Sequence, residues 1–97
     1  MLTGKQKRFL RAMGASLDPV VQIGKAGVAG PVVAGALEAL VSRELIKVKV
    51  LRNSPEETDE AIAGLAEATG AEVVQIIGHN ALLYKRNPEK AKIELPE

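Results

Sequence analysis

Val20-Val21-Gln22-Ile23-Gly24-Lys25-Ala26-Gly27-Val28-Ala29-Gly30-Pro31 decides how the rest of the chain is read. Its first four residues are mostly β-branched and apolar, which predicts a short buried strand. Three glycines then interrupt the pattern, and Pro31 falls where the first turn of a helix tolerates a missing N–H. Val33, Leu37, Leu40 and Val41 recur behind it at helical spacing, despite Gly35. Strand, glycine turn and helix therefore form one unit.

Upstream, Thr3 followed by Gln6 has the spacing of a capping box, so a first helix should open near Gly4. Phe9, Leu10 and Met13 form its apolar side, with Phe9 expected in the core; Lys7, Arg8 and Arg11 form its charged side. Gly14 and then Asp18-Pro19 close it, because a residue before proline is pushed out of the helical region. Downstream, residues 45–52 alternate, with Ile46, Val48 and Val50 on one face and Lys47 and Lys49 on the other, which predicts a half-exposed strand. Ser54-Pro55-Glu56-Glu57 combines a serine N-cap, a proline at the first helical position and a glutamate two residues later. A third helix should start there, bury Ile62, Leu65 and Ala66, and stop at Gly70. Residues 73–77 and 81–86 read as a hairpin around Gly78-His79-Asn80, and residues 87–97 as an extended tail with Ile93 and Leu95 as late contacts.

The order is helix, strand, helix, strand, helix, strand, strand. Strands joined through helices pair parallel or mixed, and the hairpin adds an antiparallel pair. The expected fold is one two-layer α/β domain over residues 1–97, built on a four-stranded mixed sheet.

Composition narrows the chemistry. The 97 residues include no cysteine and one histidine, His79. Disulfides, thiolate metal sites, cysteine nucleophiles and multi-histidine metal sites are excluded. His79 sits in a turn, and the acids of the third helix are explained by its dipole, so no catalytic residue, metal or cofactor is expected. No apolar run approaches a membrane span and no signal-peptide pattern opens the sequence, so no membrane partner and a cytoplasmic location are expected. The net charge of +1 looks indifferent to a polyanion. It averages two unlike halves: residues 1–55 hold nine Lys/Arg against three acids, and residues 56–97 hold four against nine.

The basic half holds the features that could meet a phosphate. A strand leading through Gly24-x-x-Gly27 into a helix puts backbone N–H groups and a helix N-terminus in one place, and Lys25 adds a point charge. The spacing fits neither a P-loop nor a dinucleotide fingerprint; what remains is a G-x-x-G loop of the kind that clamps nucleic-acid backbone. Helix one contributes Lys7, Arg8 and Arg11, with Lys5 before them. The alternating strand contributes Lys47 and Lys49, with Arg52 beyond, and Lys85 and Arg86 end the last strand. Phe9 and Tyr84 are the only aromatics, so binding should lean on phosphate and shape rather than stacking.

Four ordered blocks resemble the CRM domain (chloroplast RNA splicing and ribosome maturation), in its bacterial stand-alone, YhbY-like form. They are residues 20–27 (VVQIGKAG), 44–50 (ELIKVKV) and 74–78 (VQIIG), then 83–88 (LYKRNP) with 93–96 (IELP). The resemblance runs from Leu2 to Pro96. It implies an RNA-binding fold similar to the C-terminal domain of translation initiation factor three, acting on ribosomal RNA in large-subunit precursors. Carried over by position, the family's loop falls on Gly24, Lys25, Ala26 and Gly27, and its basic helix on Lys5, Lys7, Arg8 and Arg11. Two departures stand out: residues 28–33 (VAGPVV) replace a polar, acidic helix opening, and Ala26 replaces a polar loop residue.

The expectation is a monomeric, non-enzymatic RNA-binding domain, with ribosomal proteins as possible further partners. Two alternatives stay open. The acidic third helix could dock a basic ribosomal protein or assembly factor, or the glycine turn could serve an enzyme acting on a phosphorylated small molecule.

Overall fold

The computed structural model describes residues 2–97. Helix α1 (Gly4–Gly14) opens on the expected capping box: Gln6 N donates to Thr3 Oγ1 at 3.1 Å, and Thr3 N donates to Gln6 Oε1 at 3.0 Å. Strand β1 (Pro19–Ile23), helix α2 (Gly30–Arg43), strand β2 (Leu45–Val50), helix α3 (Thr58–Thr69) and the hairpin β3 (Glu72–Ile77) and β4 (Asn80–Tyr84) follow. The four strands form one mixed sheet in the order β1-β2-β4-β3. β1 and β2 are parallel, and β4 is antiparallel to both of its neighbours. The hairpin thus returns β4 into the place between β2 and β3.

Alternation assigns the faces. Ile46, Val48 and Val50 of β2, with Ala81 and Leu83 of β4, point to one side, where Ala36 and Leu40 of α2 and Ala61, Ile62, Leu65 and Ala66 of α3 cover them. These are the expected sheet and helix layers. Leu45, Leu82, Tyr84 and Val74 point the other way and receive Leu10 of α1, with Leu2, Leu17, Ile93 and Leu95 packed around them. Helix α1 therefore lies alone on the second face, as a partial third layer. Its close seat requires Gly14, where any Cβ would collide with the Leu82 methyls.

Several local expectations are corrected. Phe9 is 38% exposed and Met13 41%, since Leu10 alone of the three reaches the sheet. β1 is an edge strand with Val20 and Gln22 outward, half-exposed rather than buried. Helix α3 begins at Thr58 with Glu57 as its N-cap, and Ser54 instead closes a turn, its hydroxyl accepting from Glu56 N at 3.3 Å. Val41 faces solvent, and β4 ends at Tyr84.

The tail has no regular secondary structure, yet it is docked. Glu44 is fully buried and caps α2 with φ 63°, the one positive φ outside glycine among the described residues. Its carboxylate accepts three main-chain hydrogen bonds, from Asn87 N to Oε2 at 2.7 Å and from Lys92 N (2.6 Å) and Ile93 N (2.8 Å) to Oε1. Burial pushes this carboxyl up, but the three N–H donors and the nearby Arg86 outweigh it and hold the group below its ordinary value. Further on, Gln6 Nε2 donates to Pro96 O at 3.1 Å and ties the tail to α1.

Candidate nucleic-acid interface

The register of the sheet lays out the second face in rows. Leu45, Tyr84 and Glu72 pair across one end; the first two belong to the cluster under α1 and the tail. The next row runs Pro19, Lys47, Leu82, Gln75, and the one after it Gln22, Lys49, Asn80, Ile77. Helix α1 reaches the first of these two rows only at Leu82, where Gly14 sits against it, and leaves the outer row uncovered. Apart from Gln22, the residues of the two rows line an open groove of about 740 Å³ together with Arg11, Gly14 and Leu17.

One irregularity shapes that floor. The pairing of β3 with β4 shifts between Val73 and Gln75, so Val74 is the extra residue of a β-bulge. Strict alternation would turn Gln75 away from the face that Val74 buries. The bulge keeps both on it: Val74 enters the cluster beneath α1, and Gln75, opposite Leu82, lines the groove.

The glycine loop lies at the same end of the sheet. Ile23, paired with Val50, is the last residue of β1, and Gly24 follows it. From Gln22 of the outer row to Gly24 is about 7 Å along the chain. Gly24 to Gly27 form a tight turn, with Gly27 N donating to Gly24 O at 2.9 Å. Gly27 has φ 69°, a conformation L side chains rarely adopt, so this glycine is required by the backbone itself. Lys25 and Ala26 are exposed at the tip. The following helix begins at Gly30 with Ala29 as N-cap and no side-chain cap, which leaves the N–H groups of Gly30 and Val32 without an intrahelical acceptor. The departure at residues 28–33 thus opens the helix end where a polar cap would occupy it.

Among the basic residues expected to bind, the structure gathers Arg11, Lys47 and Lys49 around the groove, with Lys25 on the adjoining loop. Arg52, exposed, follows β2 at that same end. Lys5, Lys7 and Arg8 lie farther back along α1, toward the end that Gln6 ties to the tail. Lys85 and Arg86 are not brought to this site. They follow Tyr84 at the opposite end of the sheet, where Lys85 Nζ donates to Thr69 O at 2.7 Å and satisfies the C-terminus of α3.

Charge is only partly sorted in space. Asp59 and Glu60 open α3 on the face away from the groove, separated from Lys47 and Lys49 by the sheet. Glu56 and Asp18 are exceptions: the Glu56 carboxylate lies 3.6 Å from where a Cβ at Gly27 would stand, and Asp18 lines the groove. His79, in the hairpin turn, shares a 3.2 Å hydrogen bond between Nδ1 and Thr58 Oγ1. Among the described residues no cluster of metal-ligating side chains occurs, and no helix is long and apolar enough to cross a membrane.

Sequence reasoning missed three members of this site. Gln75 and Ile77 lie in the 74–78 block and Asn80 in the hairpin turn, none with a binding role assigned, and only the sheet register with its bulge places them beside the lysines.

The fold and its glycine loop define a class, and comparison identifies it. Residues 2–85 match the CRS1 / YhbY (CRM) domain, and the chain belongs to that family. It is 46% identical over 96 residues to the Bacillus subtilis protein named "Probable RNA-binding protein YqeI", covering 99% of this chain and all of that one. A Haemophilus influenzae protein named "RNA-binding protein" is 43% identical over 95 residues, covering 98% of this chain and 95% of the relative. Among solved structures, that of the hypothetical protein SAV1595 from Staphylococcus aureus superposes with a TM-score of 0.82 at 45% identity, over 99% of this chain and all of the other.

Proposed function

We propose that this protein binds RNA through its phosphate backbone, using the Gly24–Gly27 turn, the open start of α2 and the cations that follow along the sheet. The observation that carries the reading is the coincidence, toward one end of the sheet, of an exposed Lys25, an uncapped helix N-terminus and the groove cations Lys49, Lys47 and Arg11. Each is a source of positive potential; no acid stands in the first turn of α2 or within β2, and the acids that oppose it are Glu56 beside Gly27 and Asp18 in the groove. Lys5, Lys7, Arg8 and Arg52 extend the field on either side, while Lys85 has its place at the end of α3. The names of the relatives, from bacteria whose proteins span nearly the same length, support RNA as the ligand class.

The preferred substrate is structured ribosomal RNA in large-subunit precursors, which is what the resemblance to stand-alone YhbY-like proteins implies. No step of this reading needs a catalytic group, metal or cofactor. The test is the affinity for a large-subunit RNA fragment as a function of salt, for the native chain and for Lys25→Glu with Arg8→Glu. Loss of affinity with a shallower salt slope is expected. Unchanged affinity and slope would place the binding surface elsewhere.

A further inference from the structure

The groove beside α1 has a composition that phosphate binding alone does not explain. Its volume of about 740 Å³ lies within the range of small-ligand sites, and its exposed apolar floor is Ile77, 63% exposed, with the partly buried Leu17, Leu82 itself being buried under Gly14. Apolar surface gains nothing from a phosphate. Above that floor stand two primary amides, Gln75 and Asn80, and at its rim three cations, Arg11, Lys47 and Lys49, against one carboxylate, Asp18. Among the described residues these two amides have no side-chain hydrogen-bond partner within the chain.

The geometry points to a seat for an unpaired nucleotide: the base on the apolar floor, its edge toward Gln75 and Asn80, and its flanking phosphates on Lys49 and Arg11. The inference rests on RNA binding as proposed above and names the form of RNA this surface selects. Charge complementarity chooses the occupant. A polyanion with flat apolar bases answers both the rim and the floor, and a base becomes available only where the strand is unpaired, since a duplex hides its bases in the stack. Each amide offers a donor and an acceptor side by side, the arrangement that pairs with base edges. The glycine loop, about two residues farther along β1, lies in line to hold the backbone of the same strand. The Val74 bulge is what makes the seat, because without it Gln75 would face the opposite side of the sheet.

The probes are a perfectly paired RNA hairpin and the same hairpin with unpaired nucleotides inserted in its stem, titrated with the full chain. The native protein should prefer the interrupted hairpin by about five- to tenfold, at the low end of what aromatic stacking gives, because no ring lines the groove. Gln75→Ala with Asn80→Ala should abolish that preference, bringing the affinity for the interrupted hairpin down to that for the paired one. Ile77→Ser, at an exposed position that cannot disturb the core, should reduce the preference by a second route. Equal affinity of the native chain for the two hairpins, or a preference that survives all these substitutions, overturns the seat while RNA binding stands. Absence of binding to either hairpin overturns both.

Discussion

The main-chain nitrogen of Asn87 donates to Oε2 of Glu44 across 2.7 Å, joining the end of α2 to the start of the C-terminal tail. Lys92 and Ile93 donate to the other oxygen, so one buried carboxylate holds a segment that has no strand or helix of its own. Lys92 Nζ, donating to Ser42 O at 2.6 Å, adds a second fastening to the same helix end.

Replacing Glu44 by Gln keeps the volume but presents an amide N–H to backbone donors. Charge-assisted hydrogen bonds of this type contribute roughly 1.5–3 kcal/mol, and a mismatched buried donor adds its own cost. A loss of about 2–4 kcal/mol in urea unfolding is expected. The amides of Asn87, Lys92 and Ile93 should lose their protection in hydrogen exchange first. Unchanged protection there would show that the tail is held by Ile93 and Leu95 alone.

Acid should release the same fastening. The folded-state value of Glu44 lies below the unfolded one, despite burial, because of the three N–H donors. Its contribution is therefore complete above the ordinary carboxylate range and is lost as pH falls through the depressed folded value. Tail amide protection followed by NMR should stay flat near neutrality and decline only in that acidic range, and Glu44→Gln should remove the dependence.

Gly14→Ala should destabilise the protein by about 1–3 kcal/mol, since its methyl meets the Leu82 side chain at the closest approach of α1 to the sheet. Gly35→Ala is the control, because nothing lies within 4 Å of that position on α2. There the exchange should stabilise by roughly 0.5–1 kcal/mol through helix propensity. Thermal melts of the two variants moving in the same direction would contradict this seat for α1.

Lys47→Ala with Lys49→Ala should weaken RNA binding and make the salt slope shallower, by about 0.7 for each phosphate of a single strand that is no longer neutralised. Asp59→Lys with Glu60→Lys, on the far side of the sheet, should leave both nearly unchanged. Loss of ribosomal co-sedimentation in that second variant, with naked-RNA binding intact, would instead favour a protein-docking role for α3.

What could be read directly from the sequence was local. Thr3 and Gln6 announce α1 because both halves of the capping box lie within one turn. Lys47 and Lys49 announce the open face of β2 because alternation is a property of the strand alone. The remainder depends on contacts between distant segments. Phe9 has the right periodicity for a core residue, but how much of a helix face is covered depends on the width of the surface it meets. Ser54-Pro55 has the chemistry of a helix start, yet the serine hydroxyl found Glu56 in a preceding turn and α3 opened later. Gln75 needed the bulge, and Glu44 looks like an ordinary surface acid until the tail folds over it.

The docked tail also bears on where this unit of structure stops. The family match ends at Lys85, a natural place to cut the chain for expression. Such a cut would keep every side chain of the core under α2 and α3 and strip Ile93 and Leu95 from the cluster under α1. It would also leave the Glu44 carboxylate without its three N–H donors. The boundary drawn by the family model and the boundary drawn by these contacts are different places, and the shorter piece would be the less stable one.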